Sequence, residues 1–406
     1  MNIFVTILLL SITTGANADV IPNNFQNHFN SAYNEFPQIP RGILEGVAFT
    51  QTHFRHIENP DTSCIGLPKV SGIMGLTENG QGYFRNNLLL VSQLSGYSLN
   101  EIKQNPLLNI LAYASAYNYL IDSLSVSNNI NEHDVILKSL SEIPWDHNAA
   151  NNFALNTFVY QVLDFINSPN HQQAYNFPNQ SIDLLNVFGT NNYSILSSES
   201  VTISNSNVTN NNNIVYQPEY KSIEYTPAIW IEAPSCNYSS RSGIPISAVT
   251  IHTIQGSYAG AISWAQNCSS NVSYHYVERS SDGQVTQLVL EANKAWHVGN
   301  ENPYSIGIEH EGYVDDETWY TEAMYQSSAN LVRDITNSGY GINPLRTYYG
   351  IATTGINVLG GCTKIKGHQH FPSNSHTDPG INWDWKKYYK LINNTPTITE
   401  LITATG

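Results

Sequence analysis

The sequence predicts an all-α unit followed by a mixed α/β unit whose central sheet is flanked by helices. Three observations lead there. From about Pro37 to Ile166, apolar residues recur at spacings of three and four, as in ILEGVAFTQTHF, NNLLLVSQL, NPLLNILAYASAYNYLIDSL and FALNTFVYQVLDFI. From about Asn167 to Tyr220 that pattern gives way to an Asn/Ser-rich tract containing NSNVTNNNN, which reads as a connector. Beyond it, short β-branched runs (ISAVTIHTI, VSYHYVE, QVTQLVL, YSIGIEHEG) alternate with helical stretches such as TEAMYQSSANLVRDI.

Each segment has its own local warrant. The apolar run Ile3 to Ile12, followed by Ala16-Asn17-Ala18, reads as a signal peptide over residues 1–18, although no Lys or Arg precedes the run. Residues 19–170 form the helical unit, and Asn105-Pro106 marks a helix start because proline is tolerated in the first turn. Residues 171–224 are assigned to the connector, 225–395 to the α/β unit and 396–406 to a tail. No later stretch approaches 18 uninterrupted apolar residues, so the expectation is export without membrane insertion, to a periplasm or the exterior.

Composition narrows the partners. Only 12% of residues are charged, against roughly 25% in ordinary soluble proteins, and 17 Lys+Arg against 32 Asp+Glu leave a net charge of -15. Nucleic acid and anionic membrane surfaces would be repelled. The surface must be solvated by uncharged polar side chains: Asn, Ser, Thr and the 25 tyrosines. Cys64, Cys236, Cys268 and Cys362 include no C-x-x-C motif and are read as disulfide staples, or partly as free buried thiols, with three pairings open.

Seven histidines follow residue 250: His252, His275, His297, His310, His368, His370 and His376. His252 ends the apolar run AVTI, where a strand can hold a ligand rigidly. His376 and Asp378 lie two apart before a Pro-Gly turn, so on an extended segment they share a face. Two or three imidazoles with one carboxylate and an open position is the donor set of a catalytic zinc.

The ordered motifs AVTIHTIQGS, NVSYHYVERSSDGQV, KAWHVGN, YSIGIEHEG and GHQHFPSNSHTDPGINWDW resemble, over about residues 225 to 392, the zinc-dependent N-acetylmuramoyl-L-alanine amidases of the amidase-2 type, which include peptidoglycan recognition proteins. The resemblance implies Zn2+ held by His252, His368 and Asp378, with Glu309 as general base. It places His376 at the oxyanion, where many relatives carry lysine, and Tyr274 and His297 in substrate binding. Glu311 ranks behind Glu309. His275, His310 and His370 are expected to point away from the metal, His370 being the nearest rival ligand. The implied reaction is hydrolysis of the bond between N-acetylmuramic acid and L-alanine in peptidoglycan, zinc acidifying the attacking water and polarising the carbonyl. The alternative is a non-catalytic peptidoglycan receptor or scaffold, but such relatives lose a ligand and here all three are present.

In the first unit, IPRGILEGVAFTQTHF, SGIMGLTENG and NPLLNILAYASAYNYL are similar, over roughly residues 25 to 170, to the order of segments in lysozyme-like lytic transglycosylases. Aligned on Ala48 and Phe54, the catalytic acid's place holds Gln51. An amide cannot protonate a glycosidic oxygen, so this resemblance implies a unit that binds glycan without cutting it; Glu45, Glu58 and Glu78 carry no mark of a relocated acid.

Overall fold

The computed structural model describes residues 23–393 apart from 61–62, 64, 147, 179–180, 199–200, 205–206, 211–221 and 223; for 23–24, 201–204 and 207–210 it describes the backbone alone. The expected signal peptide, Cys64 and the tail lie outside the described residues.

The first half is built from α1 (Asn23–Glu35), α2 (Ile43–Thr52), α3 (Asn87–Ser95), α4 (Leu99–Gln104), α5 (Pro106–Leu124), α6 (Asp134–Leu140) and α7 (Ala149–Asn167). Asn105 caps α5, its Oδ1 accepting the N–H groups of Leu107 at 3.0 Å and Leu108 at 3.2 Å, with Pro106 in the first turn as expected. One small hairpin interrupts this helical half: β1 (Val70–Ser71) pairs antiparallel with β2 (Leu76–Thr77) inside the motif SGIMGLTENG.

The expected connector is corrected over its first part. Residues 169–196 form α8 (Pro169–Tyr175) and α9 (Leu184–Leu196), and Tyr175, Phe177, Ile182, Leu184, Phe188 and Leu196 join the core. The polar residues that made this stretch look like a linker serve as helix caps: Ser168 receives His171 N–H and Asp183 receives Asn186 N–H. A second hairpin follows, β3 (Val201–Ser204) with β4 (Asn207–Asn210).

The second half is the expected mixed sheet. Its strands are β5 (Ile229–Trp230), β7 (Ala248–Thr253), β8 (Tyr276–Glu278), β9 (Val285–Gln287), β11 (Ser305–His310) and β12 (Ile365–Gly367), in the order β12-β7-β11-β8-β9-β5. β12, β7, β11 and β8 run parallel, β9 is antiparallel to β8, and β5 is parallel to β9. A separate pair, β6 (Tyr238–Ser240) with β10 (Asn293–Ala295), lies beside it. α10 (Tyr258–Trp264), α11 (Glu322–Asn337) and α12 (Trp385–Asn393) complete the half.

Side-chain alternation along the strands decides which face does what. Val249, Ile251, Ile306 and Ile308 pack with Met324, Leu331, Val332 and Ile335 of α11 and with Trp385 and Tyr388 of α12. The intervening residues His252, Gly307 and Glu309 therefore share the opposite face. On that side α10 joins the helical half: Ala259, Ala261, Ile262 and Trp264 belong to one continuous core with residues from α1 to α9.

The two halves are thus interlocked rather than strung on a linker. Trp264 Nε1 donates to Ile65 O at 2.7 Å, Ser263 Oγ bonds Asn151 Oδ1 at 2.6 Å, and Ser63 Oγ donates to Ile254 O, two residues past His252, at 2.6 Å. His53, at the end of α2, stacks on Trp319 with ring centroids 3.7 Å apart. Cys236 and Cys268 form a disulfide, Cα atoms 5.4 Å apart, whereas Cys362 is free and exposed, not buried. Among the described residues no helix is long and apolar enough to cross a membrane.

Candidate metal centre

Register builds the site. β7 and β11 pair so that His252 stands opposite Glu309, and β12 ends opposite Ile251, so His368 emerges beside His252. Gly367 has a steric duty here: a Cβ on it would lie 2.4 Å from Pro379 Cδ. Its bare backbone lets the Asp378–Pro379 segment press against β12, which delivers Asp378 to His368.

The result is a buried cluster of His252, His368 and Asp378 whose potential ligand atoms all lie within 4.8 Å of one another. His252 Nδ1 is 2.9 Å from Asp378 Oδ2, and His368 Nδ1 is 3.3 Å from Asp378 Oδ1. Among the described residues, neither His368 Nδ1 nor Asp378 Oδ1, both buried, meets a hydrogen-bond partner. Orphaned polar atoms at this depth are costly unless something satisfies them. A divalent cation among two imidazoles and a carboxylate would do so, and the donor set fits zinc. Electrostatics point the same way. Burial pushes His252 down to about 4, against the upward pull of Asp378, so its imidazole is neutral and free to ligate. Burial alone would raise Asp378, but the neighbouring imidazoles of His368 and His252 outweigh it and hold the carboxyl well below its usual range, so it is ionised.

Around the cluster, Glu309 is fully buried with Oε1 3.8 Å from His252 Nδ1. The half-buried His376 stacks on His368, centroids 4.7 Å apart, and burial lowers its pKa. The other histidines turn away. His310 places Nδ1 2.8 Å from His252 O and Nε2 2.7 Å from Ser328 Oγ; His275 Nδ1 accepts Gly307 N–H; His370 Nδ1 accepts Gly367 N–H. Glu311 spends its carboxylate on the N–H groups of Tyr258 and Ser280, both at 2.9 Å.

Two of the sequence-based site residues move. Tyr274 is fully buried, with its hydroxyl donating to Ala261 O, so it belongs to the core and not to a substrate groove. His297 sits behind His252, Nδ1 at 3.0 Å from His252 Nε2. Sequence reasoning missed Ser305, Gly307 and Asn302 around it. The period-two alternation Ser305, Gly307, Glu309 within YSIGIEHEG was the available signal, because it puts all three on the His252 face.

Fold and cluster together define an α/β protein with a candidate mononuclear metal centre at the end of the parallel strands of a mixed sheet. Comparison with known proteins carries this further. Residues 242–381 match the Amidase_2 family, described as N-acetylmuramoyl-L-alanine amidase. N-acetylmuramoyl-L-alanine amidase A of Achromobacter lyticus is 42% identical over 172 residues, which cover 42% of this chain and 96% of that protein. The 1,6-anhydro-N-acetylmuramyl-L-alanine amidase AmpD of Escherichia coli is 30% identical over 142 residues, 33% of this chain and 66% of the relative. A solved structure of an AmpD derivative aligns with 43% of this chain and 97% of its own at 23% identity, with a TM-score of 0.33. The chain belongs to the N-acetylmuramoyl-L-alanine amidase family.

Proposed function

We propose that the chain is an exported peptidoglycan hydrolase that cleaves the amide bond between N-acetylmuramic acid and the L-alanine of the stem peptide, using zinc held by His252, His368 and Asp378. The observation that carries this reading is the set of orphaned donor atoms on His368 and Asp378 beside His252, with the Glu309 carboxylate 3.8 Å from the same imidazole. When bound, zinc supplies Lewis acidity toward the carbonyl oxygen and makes water acidic enough to attack at neutral pH. Glu309, buried and held by strand pairing, takes the proton of the attacking water and hands it to the departing L-alanine nitrogen. His376, at the half-open side of the cluster, donates a hydrogen bond to the developing oxyanion. Asp378 would complete the ligand set, with one carboxylate oxygen facing each imidazole.

Export rests on the apolar run and Ala16-Asn17-Ala18 at the start of the chain. For the helical half, the reading is a lysozyme-like fold that binds glycan without cutting it. Its support is Gln51 at the acid's place in α2, packed so close to the β1–β2 hairpin that a Cβ on Gly75 would lie 2.6 Å from Gln51 Cβ.

Digestion of purified peptidoglycan followed by mass spectrometry tests both halves. The expected products are L-alanine-led peptides and peptide-free glycans, with no new reducing ends. New reducing ends from a variant with an inactivated zinc site would overturn the reading of the helical half.

A further inference from the structure

We propose that His297 is a positioning residue that fixes the ring tautomer of His252, leaving Nδ1 as the metal-facing atom. This rests on the zinc reading above and assigns His297 a role other than substrate binding.

Donors and acceptors along a buried chain of side chains set the tautomer. Ser305 Oγ lies 2.9 Å from Glu301 O, and a carbonyl oxygen only accepts, so the hydroxyl proton points there. The serine oxygen is left as an acceptor toward His297 Nε2, 3.4 Å away. A neutral His297 with its proton on Nε2 offers a lone pair at Nδ1, and His252 Nε2, 3.0 Å from it, must then carry the proton of that contact. His252 Nδ1 becomes a bare lone pair 2.9 Å from Asp378 Oδ2. Two lone pairs facing one another repel unless a cation lies between them, so the hydrogen-bond count closes with a metal at Nδ1.

The ring is built in place. The N–H groups of His297 and Val298 both donate to Asn302 Oδ1, at 3.0 and 2.7 Å. Gly307 gives the ring its room, since a Cβ there would stand 2.5 Å from His297 Cγ and Nδ1. The two imidazoles meet at 88°, centroids 5.2 Å apart, which presents an edge N–H to a lone pair. His297 is only 7% exposed and both its nitrogens face protein atoms, so neither is left for a substrate.

Partners that orient a ligating histidine are worth about 10- to 100-fold in metal affinity. The test uses the full chain: zinc affinity by chelator competition, and the tautomer of His252 by nitrogen-15 side-chain NMR, in wild type, His297→Leu, His297→Asn and Ser305→Ala. In zinc-loaded wild type, His252 is expected as the Nε2–H form. His297→Leu should bind zinc about 10- to 100-fold more weakly, whereas His297→Asn, whose Oδ1 can accept in place of Nδ1, should stay within about 3-fold. Ser305→Ala, a small change that the fold should absorb, should weaken binding in the same direction as His297→Leu. Wild-type affinity in folded His297→Leu and in Ser305→Ala, or an Nδ1–H form of His252 in the zinc-loaded protein, would overturn this assignment alone. A wild type that takes up no zinc would overturn the metal reading and this one with it.

Discussion

Glu309 and His252 stand directly opposite one another on adjacent parallel strands, and the Glu309 carboxylate lies 3.8 Å from the imidazole Nδ1. Strand pairing, not a loop, sets the distance between the proposed base and the proposed ligand. The expected consequence is a separation of functions. Glu309→Ala should cut turnover by about 10²- to 10⁴-fold, the usual worth of a positioned acid–base group, while zinc content stays that of wild type. Loss of zinc in that variant would make Glu309 a ligand and not a base.

Gly367 joins the sheet to the Asp378 segment through a contact with no room for a methyl group. In Gly367→Ala either Pro379 or β12 must shift, and His368 moves away from Asp378. Metal analysis of the purified variant should show zinc largely lost, and unfolding should show destabilisation by about 1–3 kcal/mol from overpacking. Full zinc occupancy would contradict the packing argument.

The shared core predicts that the halves do not unfold separately. Trp264 is 4% exposed, stacks on Phe84 of the helical half with centroids 5.5 Å apart, and donates its indole N–H to Ile65 O. Trp264→Ala should cost about 3–5 kcal/mol and lower the midpoints of helix signal and amidase activity together in one transition. Two transitions, with only one shifted, would show independent domains.

A pH effect follows from Glu291. Burial raises its carboxyl to about 6, against the downward pull of the hydroxyl hydrogen bonds from Tyr340 and Tyr276. Its folded pKa exceeds the unfolded value of about 4.3, so between the two the folded state binds more protons, and stability falls as pH rises through that window. Relative to Glu291→Gln, wild type should lose about 2 kcal/mol of stability between pH 4 and pH 7. Parallel stability curves for the two proteins would rule this out.

Much of the α/β half was legible because its candidate ligands sit in short ordered motifs and its strands carry β-branched runs. His252 at the end of AVTI and His368 after Gly367 are strand-end positions that a period-two pattern exposes. Tyr274 misled because a motif says which residue is present but not which face it takes; its hydroxyl is turned inward to Ala261 O. The stretch 169–196 misled for a different reason. Its Asn and Ser residues resemble a linker, yet a few aromatics, Tyr175, Phe177 and Phe188, suffice to anchor two helices, with polar residues as caps. The interlock bonds Ile65 to Trp264 and Asn151 to Ser263, pairs 199 and 112 positions apart, and leaves no local mark in the sequence.

The proposed activity is amide hydrolysis at a zinc site formed by His252, His368 and Asp378. Its most direct test is digestion of purified peptidoglycan by the full chain, with mass spectrometry of the products, before and after chelation and again after zinc is restored. The expected result is release of L-alanine-led stem peptides and peptide-free glycan that stops on chelation, returns with zinc, and is absent in His368→Ala. Bound protein with intact muropeptides, or release that continues undiminished in chelator, would contradict it.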